Sequence, residues 1–536
     1  MSEFIYRTED LKIDEVLRFF VETARDREII NNLKARNPVV LSGSRGVGKS
    51  FLVRVAEAEL ANSFAVEKVF PVYVSFNKSS LIHTADPNQF QHWMLARICA
   101  ATIRGLQKRG LLAITPSSLS ILAGGSFATQ PVEETAIEKI VNSFEESWQT
   151  PNCSVDVTKI PTVDSFRDAI EDVCNNLGIS RIVLLIDEAA HILLAQQQRQ
   201  FFSLFRDLRS PYMSCKAAVY PGVTSFGEVF QPAHDATVLK LERDFLSADY
   251  LNNMREIVVK QGDSDLAAQI AQRGEHFNIL AYASSGNPRI LLKLLLKTPK
   301  LNSSEINETI REYFRNDVWS EHTGLAEKYD GHRSMIDWGR RFIEGSVLPD
   351  LQAKNVQYLT SDKNSSCFFW IHRDAPQQVK EALRLLAYTG IVTEHATGIK
   401  ASRSEVGTRY AVNLGCLFAL EKIPTTTSFA IGASLTPKRM IEFGANHLAY
   451  KDIVSAPAIP ETNSSEILRK QLDKPVSALD ITEWQKSQLV NLKLLTLGDV
   501  LRASEDHLKQ GYYIGDKRAR RMRNAAIAAV YEYLSG

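Results

Sequence analysis

Two groups of residues in this chain have the types and spacing needed for phosphate chemistry. The run Gly43-Ser44-Arg45-Gly46-Val47-Gly48-Lys49-Ser50 follows the apolar stretch Pro38-Val39-Val40-Leu41. It reads G-x-x-x-x-G-K-S, a loop whose backbone N–H groups wrap the phosphates of a nucleotide while the helix behind it adds its positive N-terminal dipole. Gly43 through Ser50 are thus expected to hold the nucleotide, with Lys49 on the β- and γ-phosphates and the Ser50 hydroxyl on Mg²⁺. The second group is Asp187-Glu188, which closes the aliphatic run Ile182-Val183-Leu184-Leu185-Ile186. Asp187 is expected to hold Mg²⁺ through water, and Glu188 to polarise the water that attacks the γ-phosphate.

Positioning these groups requires a parallel sheet. Five consecutive aliphatic residues before Asp187 suit a strand buried on both faces, and ligands of open α/β sheets bind at the carboxyl ends of the strands. Alternating apolar residues at Phe70, Val72, Val74 and Phe76 predict another strand. A further one, Lys216–Tyr220, follows an amphipathic helix around Phe201, Phe202, Leu204, Phe205 and Leu208. It leads into Gly222-Val223-Thr224-Ser225, which puts a hydroxyl beside the acids. Alternating strands and helices imply a doubly wound α/β domain. Ser117–Ser120, Gly124–Ser126 and Pro151-Asn152 mark residues 104–161 as an insertion with turns and loops.

Bulk properties set outer bounds. A chain of 536 residues holds about three or four domains. Its formal net charge of +1 gives no sign of nucleic acid, so any DNA surface must be local. The start, MSEFIYRTEDLK, has no signal-peptide pattern, and no apolar run reaches membrane-span length, so a cytoplasmic protein without membrane contact is expected. Six dispersed cysteines without a C-x-x-C pair argue against a zinc site or a disulfide framework.

The order of phosphate loop, acidic strand and polar-tipped strand resembles the AAA+ class of P-loop ATPases. That resemblance implies ATP with Mg²⁺, and makes Thr224 the first sensor of the γ-phosphate. Ser285-Gly286-Asn287-Pro288-Arg289 resembles the second sensor, especially that of origin-recognition-type initiators and the related STAND regulatory ATPases. Gly-Asn-Pro is a turn that starts a helix, with Pro288 suited to its first position. Arg289 is then either a nucleotide contact or a solvated helix charge. Asp26-Arg27-Glu28-Ile29-Ile30 resembles the adenine-side segment, its aliphatic residues packing either on the base or in a core. The class usually carries an arginine finger beyond the first sensor, yet no arginine lies between Lys216 and Glu242; Arg206, Arg209 and Arg243 are the alternatives.

The expected layout is an ATPase core (1–245), a helical lid (246–315), a winged-helix domain (316–417), a linker (418–475) and a small all-α helix-hairpin-helix domain (476–536). In the third, an amphipathic helix over 377–387 precedes strands at 391–395 and 409–414, with a turn at Thr397-Gly398 and a basic loop carrying Lys400 and Arg403. In the last, Leu479-Asp480-Ile481, the leucine run 494–501 and Tyr513-Ile514-Gly515 resemble the C-terminal domain of the RNA polymerase α subunit. Lys517, Arg518, Arg520, Arg521 and Arg523 are the candidate nucleic-acid contacts, each neutralised phosphate steepening the salt dependence.

The expectation is a switch that uses ATP binding and hydrolysis to reposition DNA- or partner-binding modules. The rivals are a defence or signalling ATPase that senses a trigger and controls a separately encoded effector, and a regulator of transposition or plasmid maintenance. Expected partners are DNA and another protein, with homo-oligomerisation left open. No nuclease or protease signature is visible.

Overall fold

The computed structural model describes residues 4, 8, 11–82, 84, 86, 88–113, 118–125, 134–150, 152–189, 195–221, 224, 226–227, 229–328, 332–402, 404–455, 472–479 and 481–534. Ser117, Ser126, Pro151, Gly222, Val223, Ser225, Arg403, Asp480 and residues 456–471 of the expected linker lie outside the described residues. The chain packs as two compact units; the first comprises 1–244, 249–268 and 286–292, the second the remainder.

The first unit is built on five parallel strands: β1 (Val39–Ser42), β2 (Val69–Ser75), β3 (Arg181–Asp187), β4 (Met213–Val219) and β5 (Thr237–Lys240). Their order across the sheet is β2-β3-β4-β1-β5. The pleat sorts the side chains. Val39, Leu41, Val183, Leu185 and Ala218 share one buried cluster with the helices Ala24–Lys34 and Lys49–Glu67. Val40, Ile182, Leu184, Ile186, Ala217 and Val219 face the opposite cluster, with the helices Gln89–Lys108, Val163–Leu177 and Ala195–Asp207. Both faces are therefore apolar, which is why β3 reads as one unbroken aliphatic run.

The stretch 104–161 departs from the expected turns and loops. The helix Gln89–Lys108 runs through its start, and Ala136–Glu146 forms a second helix. Ile137, Ile140, Val141 and Phe144 repeat at helical spacing and are all buried in the core. Thr135 and Glu138 close a capping box at its N-terminus, and Glu138 also pairs with Arg104. Glu145, nearly buried, is bridged by Lys78 at 2.5 Å and by Arg97 at 2.5 Å.

The second unit carries a smaller sheet of β6 (Phe368–His372), β7 (Val392–Lys400), β8 (Val406–Val412) and β9 (Ile441–Phe443), in the order β7-β8-β6-β9. The helix Gln377–Tyr388 precedes the antiparallel pair β7–β8. The hairpin does not turn at Thr397-Gly398: those residues lie inside β7, where an irregularity in register absorbs Gly398 at φ 69°. The turn is at 401–405, closed by the Ala401 amide on the Glu405 carbonyl at 2.8 Å. The expected linker also carries regular structure, because the helix Pro424–Ala433 lies within it and β9 pairs in parallel with β6. The helices Lys451–Ser455, Glu483–Asn491, Leu497–Arg502, Glu505–Leu508 and Asp516–Leu534 follow.

Among the described residues no helix is long and apolar enough to cross a membrane. All six cysteines are unpaired, five of them buried.

Candidate nucleotide site

The phosphate loop leaves β1 and enters the helix Lys49–Glu67 through Gly48, whose φ of 108° and that of Gly46, 85°, suit glycine alone. Among the described residues, a Cβ on Gly48 would come near Arg243 Nη2, at 3.8 Å. Glycine-rich loops that enter a helix in this way present backbone N–H groups to an anion.

Lys49 is 94% removed from solvent, being 6% exposed, and its ammonium donates to the Gly43 carbonyl at 2.6 Å and the Ser44 carbonyl at 3.1 Å. The Tyr220 ring lies beneath it, 4.0 Å from Nζ to the centroid. Burial pushes the ammonium down to about 7; Asp187 and Glu188 oppose that shift, and Arg289 and Arg45 reinforce it. Five of the expected residues thus interact electrostatically in one place. Their signs suit an anion: two carboxylates beside three cations.

Asp187 ends β3 and is 2% exposed. Tyr73, on β2, donates its hydroxyl to Asp187 Oδ2 at 3.0 Å, while the Glu188 amide donates to Oδ1 at 2.9 Å. Each oxygen keeps one lone pair for a further donor such as a metal-bound water. Glu188 itself has φ 54°, a left-handed backbone that costs a non-glycine residue about 1–2 kcal/mol and marks a constrained turn. Glu188 also lines a small cavity with Phe76, Phe90, Trp93 and Phe201.

The oxygen donors Ser50 and Asp187 fit Mg²⁺, which takes few protein ligands and keeps several waters or phosphate oxygens. Among the described residues no three His, Cys, Asp or Glu side chains cluster as a self-sufficient metal cage.

Thr224 follows β4, which lies between β3 and β1, and so leaves the sheet between the acids and the phosphate loop. Its hydroxyl donates to the Tyr220 carbonyl at 2.7 Å. Arg289 begins the helix Pro288–Lys297, and its Cβ comes within 3.1 Å of where a Gly46 Cβ would sit. Asn287 donates to the Arg45 carbonyl at 2.7 Å and accepts from the Ile290 amide at 3.3 Å. Ile29 and Ile30 are fully buried in the core cluster behind β1, so their aliphatic surface is spent on packing.

The arginine-finger alternatives separate. Arg206 pairs with Asp207 at 2.9 Å, and Arg209 with Asp235 at 3.7 Å, both on partly exposed surface before β4. Arg243 lies at the phosphate loop instead. Tyr73, Tyr220 and Asn287 were not anticipated, since each acts across elements distant in sequence.

In the second unit the five C-terminal cations are differently placed. Arg518 stacks on Trp484 at 5.3 Å and on Tyr513 at 4.8 Å, and donates to the Tyr513 carbonyl at 2.7 Å. Arg520 reaches Glu505 at 3.8 Å and Asn446 at 3.3 Å. Arg523 is half-buried, its Nε without a hydrogen-bond partner. Lys517 and Arg521 are exposed, as is the stacked Arg518. Asp516, first in the helix, pairs with Lys509 at 2.6 Å, which holds its carboxyl below the ordinary value. The helix Gln377–Tyr388 is buried along most of its length, and Arg384 is paired with Glu381 at 2.7 Å.

No known protein family and no curated protein matches this chain. Among solved structures it is similar to the Aeropyrum pernix ORC1 protein in complex with DNA, at 13% identity, over 76% of this chain and 91% of that one, with a TM-score of 0.30. A likeness that distant carries no functional argument, so function is argued from the site.

Proposed function

We propose that this protein is an ATP-binding and ATP-hydrolysing switch of the AAA+ kind, coupling nucleotide state to DNA or partner binding through its C-terminal modules. The observation that carries the reading is the Lys49 ammonium, buried against the loop's own carbonyls and within electrostatic reach of Asp187, Arg289, Glu188 and Arg45. A buried cation with such weak compensation is poised to exchange two carbonyls for phosphate oxygens, which repay its desolvation better.

In this reading Gly43 through Ser50 bind the triphosphate. Mg²⁺, held by Ser50 and through water by Asp187, supplies charge neutralisation between the β- and γ-phosphates when bound. Glu188 takes the proton of the attacking water, its backbone amide fixed on Asp187 Oδ1, a carboxylate that Tyr73 also holds. Thr224 and Arg289 respond to the γ-phosphate. ATP and ADP then favour different conformations because only ATP offers Arg289 a γ-phosphate oxygen.

For DNA, the winged-helix and helix-hairpin-helix readings point to the β7–β8 turn and to Lys517 and Arg521, rather than to the buried helix Gln377–Tyr388. A protein partner is the second reading. It is favoured by Tyr512 at 79% and Tyr513 at 73% exposure, large aromatic faces beside the stacked Arg518. Titrating duplex DNA at rising salt decides between them: steep loss supports DNA, and no binding at low salt supports the protein partner.

A further inference from the structure

Arg243 leaves β5 two residues beyond Leu241, whose amide is bonded to the Ser42 carbonyl of β1 at 2.8 Å. Its backbone is fixed from the other side too. Gly286 sits so close that a Cβ there would meet the Arg243 carbonyl at 2.4 Å, and the Gly286 amide is held by the Tyr250 hydroxyl at 2.9 Å. The side chain is 14% exposed and pairs through Nη1 with Asp26, itself 1% exposed, at 3.2 Å. Asp26 is in turn fixed by the Thr23 hydroxyl at 2.8 Å.

This pairing is one-sided. Among the described residues, Asp26 takes a single nitrogen of the guanidinium, Nε is buried without a hydrogen-bond partner, and Nη2 lies 3.8 Å from where a Gly48 Cβ would sit. A buried donor without an acceptor is costly and is best explained by a partner that arrives later. Asp26 does not complete the set: although a carboxylate can accept an arginine's donors in pairs, only Nη1 reaches it here, on the Oδ2 that also accepts from Thr23.

We infer that Arg243 is an in-cis ligand of the nucleotide, contacting the α/β-phosphate end of the chain at Gly48. This rests on the nucleotide-binding reading of the loop. Arg243 and Arg289 divide the phosphates. Arg289 meets the loop at Gly46, while Lys49 turns back to the carbonyls of Gly43 and Ser44; Arg243 meets the loop at Gly48, where the helix begins. Backbone amides at that end cradle the α- and β-phosphates, which ADP and ATP share. Arg243 therefore serves retention of both nucleotides rather than sensing of the γ-phosphate, and is not an arginine finger.

The test is calorimetric titration of the full-length chain with Mg-ADP and Mg-ATP. Arg243→Lys keeps a cation for Asp26, and so keeps the fold, but cannot present the fork to Gly48. It should weaken ADP and ATP alike, each about tenfold, with an unchanged melting temperature. Arg289→Ala in parallel should weaken ATP more than ADP. Unchanged ADP affinity in Arg243→Lys, or loss confined to ATP, overturns the assignment. If the wild-type chain binds neither nucleotide, the reading of the loop falls first and this assignment with it.

Discussion

The Asn287 side-chain amide donates to the backbone carbonyl of Arg45 at 2.7 Å, so the turn that launches Arg289 rests on the tip of the phosphate loop. Gly46 makes that approach possible, since a Cβ there would lie 2.8 Å from Asn287 Oδ1. The Asn287 amide and the missing methyl group of Gly46 thus link this loop to the helix Pro288–Lys297. Asn287→Ala should leave ADP affinity within about twofold and reduce the ATP-over-ADP preference several-fold, on the order of 1 kcal/mol for one hydrogen bond. Gly46→Ala adds a clash to an unfavourable φ and should weaken both nucleotides more than tenfold. Fluorescent-nucleotide titrations check both; equal ATP preference in Asn287→Ala and wild type would remove the coupling.

Lys49 gives nucleotide binding a pH dependence of definite sign. In the ligand-free chain its ammonium is pushed down to about 7, and phosphate oxygens favour the charged form. The complex therefore holds more protons above pH 7, and affinity should fall by up to about tenfold per pH unit there, flattening below. Stability of the ligand-free chain runs the other way: the unfolded chain holds the extra proton between pH 7 and the ordinary lysine value of 10.5, so stability rises with pH across that window. Lys216, bonded to the Ala35 carbonyl at 2.7 Å and also pushed down to about 7 by burial, adds to the stability trend alone. Calorimetry in buffers of different ionisation enthalpy should show proton uptake on binding at pH 8; its absence contradicts the account.

Tyr73→Phe removes the hydroxyl that donates to Asp187 Oδ2. Turnover should drop about tenfold, with a raised Mg²⁺ requirement and nucleotide affinity little changed, as expected when an orienting group is lost. Steady-state rates across a Mg²⁺ series test it. An unaltered Mg²⁺ profile would leave Tyr73 a packing residue.

How far the sequence carries this site depends on distance along the chain. Gly43–Ser50 is legible because its contacts are local, and Asp187 because an aliphatic run buried on both faces must stop where the site begins. Tyr73 is not legible: it pairs in register with Leu185, two residues short of Asp187, and nothing nearby in sequence says that β2 adjoins β3. Tyr220, Asn287 and the Asp26–Arg243 pair likewise depend on strand order and turn packing. The helix Ala136–Glu146 could have been read from the i, i+3, i+4, i+7 spacing of Ile137, Ile140, Val141 and Phe144, but its glycine- and serine-rich flanks suggested a loop. Gly398 misled in the same way, its left-handed backbone serving a bulge rather than a hairpin end. β9 is three residues long, too short for any periodic signal.

For DNA, the exposed pair Lys517 and Arg521 should matter and the stacked Arg518 should not matter in the same way. Lys517→Glu with Arg521→Glu should cost at least tenfold in duplex affinity at low salt and flatten the salt slope by about one per lost phosphate contact. Arg518→Glu should instead lower thermal stability, through loss of its place on Trp484 and Tyr513. Mobility-shift titrations at several salt concentrations and a melting curve decide this. Unchanged binding in the double variant would move attention to the aromatic surface and a protein partner.

The central claim is hydrolysis at Asp187-Glu188 of a nucleotide held by Lys49, and one comparison tests it most directly. Release of phosphate from ATP and equilibrium ATP binding are measured for wild type, Glu188→Gln and Lys49→Ala. Glu188→Gln should bind ATP as wild type does but lose turnover by about a hundredfold or more, while Lys49→Ala should lose binding itself. Turnover in Glu188→Gln equal to that of wild type would contradict it.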